Sequence, residues 1–155
     1  MKIFLKSGNG KGIVTYYDDT KATPAEQIKR EKFQITKFKH NKLDIINIYR
    51  SQTGNSLELL EELNKLMVLD RTTLITGDFN FCFIENFSNR MIQGLIELGF
   101  NQLVHEPTHI RGRHIDHAYI RDPRNELKPM LNRYSPYYSD HDALCIILPD
   151  IETLE

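Results

Sequence analysis

The middle of the chain leaves little freedom in the choice of fold. Residues 43–49 (LDIINIY) are a dense β-branched run, bounded by His40, Asn41 and Lys42 on one side and by residues 51–55 on the other, and they predict a buried strand. Ser56 stands as a candidate N-cap ahead of LELLEELNKLMVL. There Leu59, Leu60, Leu63, Leu66 and Met67 recur at helical spacing, with acidic residues in the early turns. Residues 72–76 (TTLIT) are a second β run that ends in Gly77-Asp78-Phe79-Asn80, and a further helix is expected from Ser88 to Leu98, stopped by Gly99. Strands and helices alternating in this way specify an α/β class.

Strand-like segments also open and close the chain. Residues 3–6, 12–17 and 32–38 read as a β-meander, the last with Phe33 and Ile35 at period two. Residues 18–27 collect Asp, Thr, Lys and Pro24, the chemistry of an exposed connection. After a turn-rich stretch at 106–113, residues 114–120 (HIDHAYI) alternate as a strand, and 143–148 (ALCIIL) predict a final buried one. The basic residues of 29–42 read as the solvated face of an edge strand, with a nucleic-acid surface as the alternative.

A length of 155 residues with 40% hydrophobic content supports one globular domain with its own core. Lys and Arg number 20 against 21 Asp and Glu, so whole-chain charge neither marks nor excludes a polyanionic partner. Cys82 and Cys145 lie inside apolar stretches and read as buried free thiols in a reducing compartment. The start, MKIFLKSGNGKG, lacks the apolar core of a signal peptide, and no run approaches membrane-spanning length. An intracellular chain without a membrane segment is therefore expected, the nucleus being one compatible location.

Three short motifs sit at ends of expected strands, where a rigid scaffold presents catalytic side chains. In GDFN, Asp78 and Asn80 can orient a water and bind a hard cation through oxygen, or simply make an Asx-type turn. In HIDH, Asp116 is a carboxylate in an otherwise apolar strand and needs a hydrogen-bond donor. In YSDHDAL, His141 lies between Asp140 and Asp142 and is the natural partner for Asp116, which would fix its tautomer and favour the imidazolium; a solvated acidic turn is the alternative. His105, His109, His114 and His117 suggest zinc. Pro107 keeps His105 and His109 off a shared helical face, however, and neither cysteine has ligand spacing, so no zinc site is expected among them.

Taken together and in order, GDFN, IDH and SDHDAL resemble the signature of the endonuclease/exonuclease/phosphatase superfamily, as do NIYRSQTGN at 47–55 and EPTHIRGRHIDH at 106–117. The last stretch is similar to that of retrotransposon endonucleases. The resemblance runs from about residue 12 to 149 and implies a DNase-I-like two-sheet sandwich flanked by helices. It implies Mg²⁺ or Mn²⁺ as cofactor, nucleic acid and foremost DNA as partner, and hydrolysis leaving a 3′-hydroxyl and a 5′-phosphate. Carried over residue by residue, Asp78 would orient or activate the attacking water and Asn80 would help hold it. His141 would contact a non-bridging phosphate oxygen, Asp116 would orient His141, Asp140 would face the metal, and Tyr49 would donate to the phosphate. Arg50 is expected to add positive charge to the substrate site.

The sequence also departs from the pattern. The family's first strands supply an asparagine and a metal-binding glutamate, which no segment here reproduces; neither Glu26 nor Glu31 has the strand-end context. The expectation is thus a domain lacking the family's first strands, with an open sheet edge. Two functions compete: a metal-dependent phosphodiesterase of retroelement-endonuclease type, and a catalytically silent domain retaining the scaffold and weak nucleic-acid or partner binding.

Overall fold

The computed structural model describes residues 2–4, 12–86 and 88–149. Of the expected strand at 3–6, residues 5 and 6 lie outside them. The elements in chain order are β1 (Lys2–Phe4), β2 (Thr15–Tyr17), β3 (Thr23–Lys29), β4 (Phe33–His40), β5 (Leu43–Arg50), α1 (Ser56–Leu66), β6 (Thr72–Asp78), α2 (Arg90–Glu97), β7 (Asn101–Gln102), β8 (Asp116–Arg121), β9 (Met130–Tyr134) and β10 (Ala143–Ile147). A six-stranded sheet runs β3-β4-β5-β6-β8-β7, and β1-β2 and β9-β10 form two-stranded sheets. Within the large sheet only β5 and β6 are parallel, joined by α1 as the crossover.

One face of the large sheet carries Phe33, Ile35, Ile46, Ile48 and Ile75, which meet Leu59 and Leu63 of α1 and Met91, Ile92 and Leu95 of α2. The two helices approach so closely at Gly94 that an added Cβ would lie 2.4 Å from Leu60 Cδ2. The other face of β4 meets β2 and Ile13, two residues before it, through polar and aromatic contacts. The Ile13 N–H donates to Gln34 Oε1 at 3.1 Å, Thr15 and Thr36 hydroxyls lie 3.5 Å apart, and Tyr17 packs on Phe38 at 5.2 Å between rings. A sheet packed against a second sheet on one side and helices on the other is the sandwich that the motifs implied.

Several local expectations need correction. Residues 23–27, expected in an exposed connection, belong to strand β3; its polar, mostly exposed composition reflects its place at the sheet edge, where Pro24 is tolerated. β4 is consequently an interior strand, and Lys37 is 3% exposed, its Nζ 2.6 Å from Asp44 Oδ2. Arg71 Nε donates to the other oxygen of Asp44 at 2.6 Å. The cap of α1 is Asn55, not Ser56: Asn55 keeps extended geometry while its Oδ1 accepts from the amides of Leu57 and Glu58. α1 stops at Leu66, leaving Leu69 81% exposed. Strand β10 alternates between exposed and half-buried positions and is not buried. Cys145 on it is exposed, whereas Cys82 is buried as expected. β7 and β9 went unforeseen. Among the described residues no helix is long and apolar enough to cross a membrane.

Candidate active site

The register of three neighbouring strands builds the site. Tyr49, penultimate in β5, stands opposite Asp78, the last residue of β6, and Asp78 stands opposite Asp116, the first residue of β8. A phenol and two carboxylates therefore form one row across the sheet. Gly77 makes this row possible. Its φ of +143° is closed to other residues, and a Cβ there would lie 1.8 Å from Ile48 O.

Asp78 and Asn80 make the Asx-type turn, and the turn sets Asp78 beside Asp116 and His141. Asp78 Oδ1 accepts the Asn80 amide N–H at 2.9 Å. The Asn80 side-chain Nδ2 donates to Asp78 Oδ2 at 3.1 Å and to Arg50 O at 2.8 Å. Burial first, and the charge of Asp116 second, push the Asp78 carboxyl from 3.8 up to about 6. Tyr49 is also raised, by burial and by Asp78, so it remains a protonated donor at neutral pH. Tyr49, Asp78 and Asn80 line an open cavity of about 610 Å³ together with Gly12, Ser51, Gln52 and Thr53.

His141 joins from the loop before β10. Its Nδ1 lies 2.9 Å from Asp116 Oδ2 and 3.1 Å from Oδ1, the pairing that the strand carboxylate required. Desolvation alone would lower its pKa, but the hydrogen bond and charge of Asp116, with Asp78 and Asp140, outweigh it and raise it. Ligand atoms of Asp78, Asp116 and His141 all lie within 4.8 Å of one another.

Two residues that the motifs did not single out complete the support. Thr108, fully buried, donates its hydroxyl to Asp116 Oδ2 at 2.7 Å and accepts the Asp116 amide at 3.1 Å. The segment from Thr108 to Ile110 also pairs with the His141 loop: Asp142 N–H donates to Thr108 O, Ile110 N–H to Asp140 O, and His109 bridges to His141. The only sequence signal for Thr108 is its place in the PT pair upstream of Asp116.

Asp140 is an exposed carboxylate that shares a second, overlapping cluster with His109 and His141. Arg50 is 7% exposed; its guanidinium donates to Phe79 O at 2.9 Å and Gly54 O at 2.5 Å and lies over the Phe81 ring. It shapes the loop that carries Asn80, and those two guanidinium nitrogens are already engaged. His117 is a core residue, stacked on Phe79 and pushed down to about 3 by burial, hence neutral. No three of His105, His109, His114 and His117 form a ligand cluster among the described residues.

The donor set suits a hard divalent cation. The charge of Asp116 adds to burial in raising Asp78, and clustered carboxylate oxygens are what Mg²⁺ or Mn²⁺ binds.

No protein-family model and no curated protein matches the sequence. Solved structures do. The endonuclease domain of TRAS1, a telomere-specific non-LTR retrotransposon, superposes with a TM-score of 0.71 at 15% identity, over 94% of this chain and 76% of that one. Cytolethal distending toxin from Actinobacillus actinomycetemcomitans gives 0.61 at 14% identity, over 87% and 61%. An endonuclease/exonuclease/phosphatase family protein from Bacteroides thetaiotaomicron gives 0.53 at 14%, over 85% and 65%. The chain has the DNase-I-like fold of the endonuclease/exonuclease/phosphatase proteins.

Proposed function

We propose that the chain is a divalent-metal-dependent phosphodiesterase that cuts nucleic acid internally, with DNA as its substrate. The observation that carries this reading is the convergence of Asp78, Asn80, Asp116 and His141 on one end of the sheet, beside an open cavity. The Asp78 and Asp116 carboxylates, which cluster together, would hold Mg²⁺ or Mn²⁺, which when bound polarises a phosphoryl oxygen, while Asp140 belongs to the other cluster. Asp78, whose carboxyl burial and Asp116 raise in the cation-free site, takes a proton from the attacking water. Asn80 holds Asp78 in orientation. The imidazolium of His141, fixed by Asp116, stabilises charge developing on the phosphoryl oxygens, and the Tyr49 hydroxyl donates to the same group. Tyr137 and Tyr138, just before this loop, are fully and 80% exposed and offer faces on which bases stack.

One observation favours the silent-domain alternative: the Asp116 oxygens already accept from His141 and Thr108, which leaves few protein oxygens for a cation. Cleavage assays on labelled duplex DNA, single-stranded DNA and RNA of one sequence, each with Mg²⁺, Mn²⁺ or EDTA, separate the cases. Metal-dependent internal cuts in DNA support the proposal. Binding without cuts supports the alternative, and preferential cutting of RNA overturns the substrate assignment.

A further inference from the structure

His109 and His141 face each other across an isolated antiparallel bridge, their rings edge to face at 5.0 Å between centroids. Asp140 Oδ2 lies 3.3 Å from His109 Nε2, and one ligand atom from each of the three residues fits within 4.8 Å of the others. Two ligands each about 2.0 Å from a tetrahedral ion stand roughly 3.3 Å apart, so the His109–Asp140 separation already matches an edge of a zinc coordination shell. Two imidazoles and a carboxylate suit Zn²⁺ and its neighbours, whereas Mg²⁺ prefers oxygen. His141 is also held as a metal-binding imidazole is held: Asp116 takes its Nδ1, and among the described residues its Nε2 makes no hydrogen bond.

We infer that His109, Asp140 and His141 form a site for a zinc-class divalent cation, with the fourth position left to water, and that filling it withdraws His141 from the phosphodiester and inhibits cleavage. His109 Nδ1 accepts the Arg111 amide at 3.1 Å, which places the ring proton on Nε2. On binding, that proton moves to Nδ1 and the Arg111 amide turns to water, which the exposure of Arg111 permits. The inhibition rests on the nuclease reading; the binding does not.

Co²⁺, whose visible absorption is strong in tetrahedral sites, tests this in the full chain. The expected result is one Co²⁺ per chain with an intense band, displaced by Zn²⁺. His109→Gln should weaken Co²⁺ binding at least ~10-fold, while His105→Gln, at an exposed histidine outside the cluster, should not. Circular dichroism checks that each variant is folded, and Asp140→Asn, at an exposed position, serves if His109→Gln is not. In cleavage assays with excess Mg²⁺, Zn²⁺ should inhibit the wild type more strongly than His109→Gln. Absence of a tetrahedral band, or equal affinity in His109→Gln, overturns the site. Co²⁺ binding by a chain that cleaves nothing upholds the site and removes the nuclease reading, while cleavage without Co²⁺ binding does the reverse.

Discussion

Replacing Asp78 with Asn should stabilise the cation-free protein progressively as pH rises. The fold favours the protonated carboxyl, because burial and the nearby Asp116 raise its pKa from 3.8 to about 6. The stability contributed by Asp78 is therefore fully present below about 3.8 and is lost as pH climbs through about 6, a sign opposite to that of a salt-bridged carboxylate. The full displacement corresponds to ~3 kcal/mol, and partial solvent access reduces it to roughly 1–2 kcal/mol. Asn at 78 also brings its amide against the Asn80 Nδ2 that now donates to Asp78. That penalty does not vary with pH, so the informative quantity is the change in the difference between variant and wild type. Thermal unfolding in EDTA at pH 4 and pH 7.5 measures it, with an expected gain for the variant of roughly 3–6 °C across the interval. A difference that is flat, or that falls with pH, would refute the claim that the site keeps Asp78 ionised at the expense of stability.

Gly77→Ala should cost roughly 3 kcal/mol or more in chemical denaturation, since it combines a forbidden φ with a Cβ inside the Ile48 backbone; a loss below about 1 kcal/mol would contradict that geometry. Thr108→Val keeps the shape but strips Asp116 of two hydrogen bonds, and should lower both stability, by roughly 1–3 kcal/mol, and cleavage; unchanged cleavage would remove Thr108 from the support of His141. The pH–rate profile should be bell-shaped. Its acid limb follows ionisation of Asp78 and lies at or below about 6 once a cation is bound, and its basic limb follows loss of the His141 proton above the ordinary histidine range. A rate that keeps rising through the alkaline range would show that His141 works as the neutral ring.

The elements that place the site were legible wherever a single segment declares itself. Residues 43–49 and 72–76 are rich in β-branched residues and largely buried because both faces of their sheet are covered, and the β5-α1-β6 crossover follows from the helix between them. Asp78, Asn80, Asp116 and His141 could be named because each ends a strand or precedes one. Their meeting, however, depends on the β5-β6-β8 register, which no local spacing encodes. The same reason hid Thr108 and His109, whose contacts arise only when the segment before β8 pairs with the one before β10. Arg50 read as a substrate cation because sequence does not reveal that Phe79 and Gly54 carbonyls turn toward it. Asn55 and Ser56 are both competent caps, and only backbone geometry separates them. β3 is polar because it is an edge, and β10 is apolar despite having exposed positions, so composition misled in opposite directions.

The most direct test of the central claim is the single-turnover nicking of supercoiled plasmid DNA by the wild type, Asp78→Asn and His141→Ala, each purified identically and assayed with Mg²⁺ and with EDTA. A phosphodiesterase centre at this end of the sheet predicts nicking that EDTA abolishes and that each substitution lowers at least ~100-fold. Nicking that persists in both variants, or that proceeds at the same rate in EDTA, would contradict it.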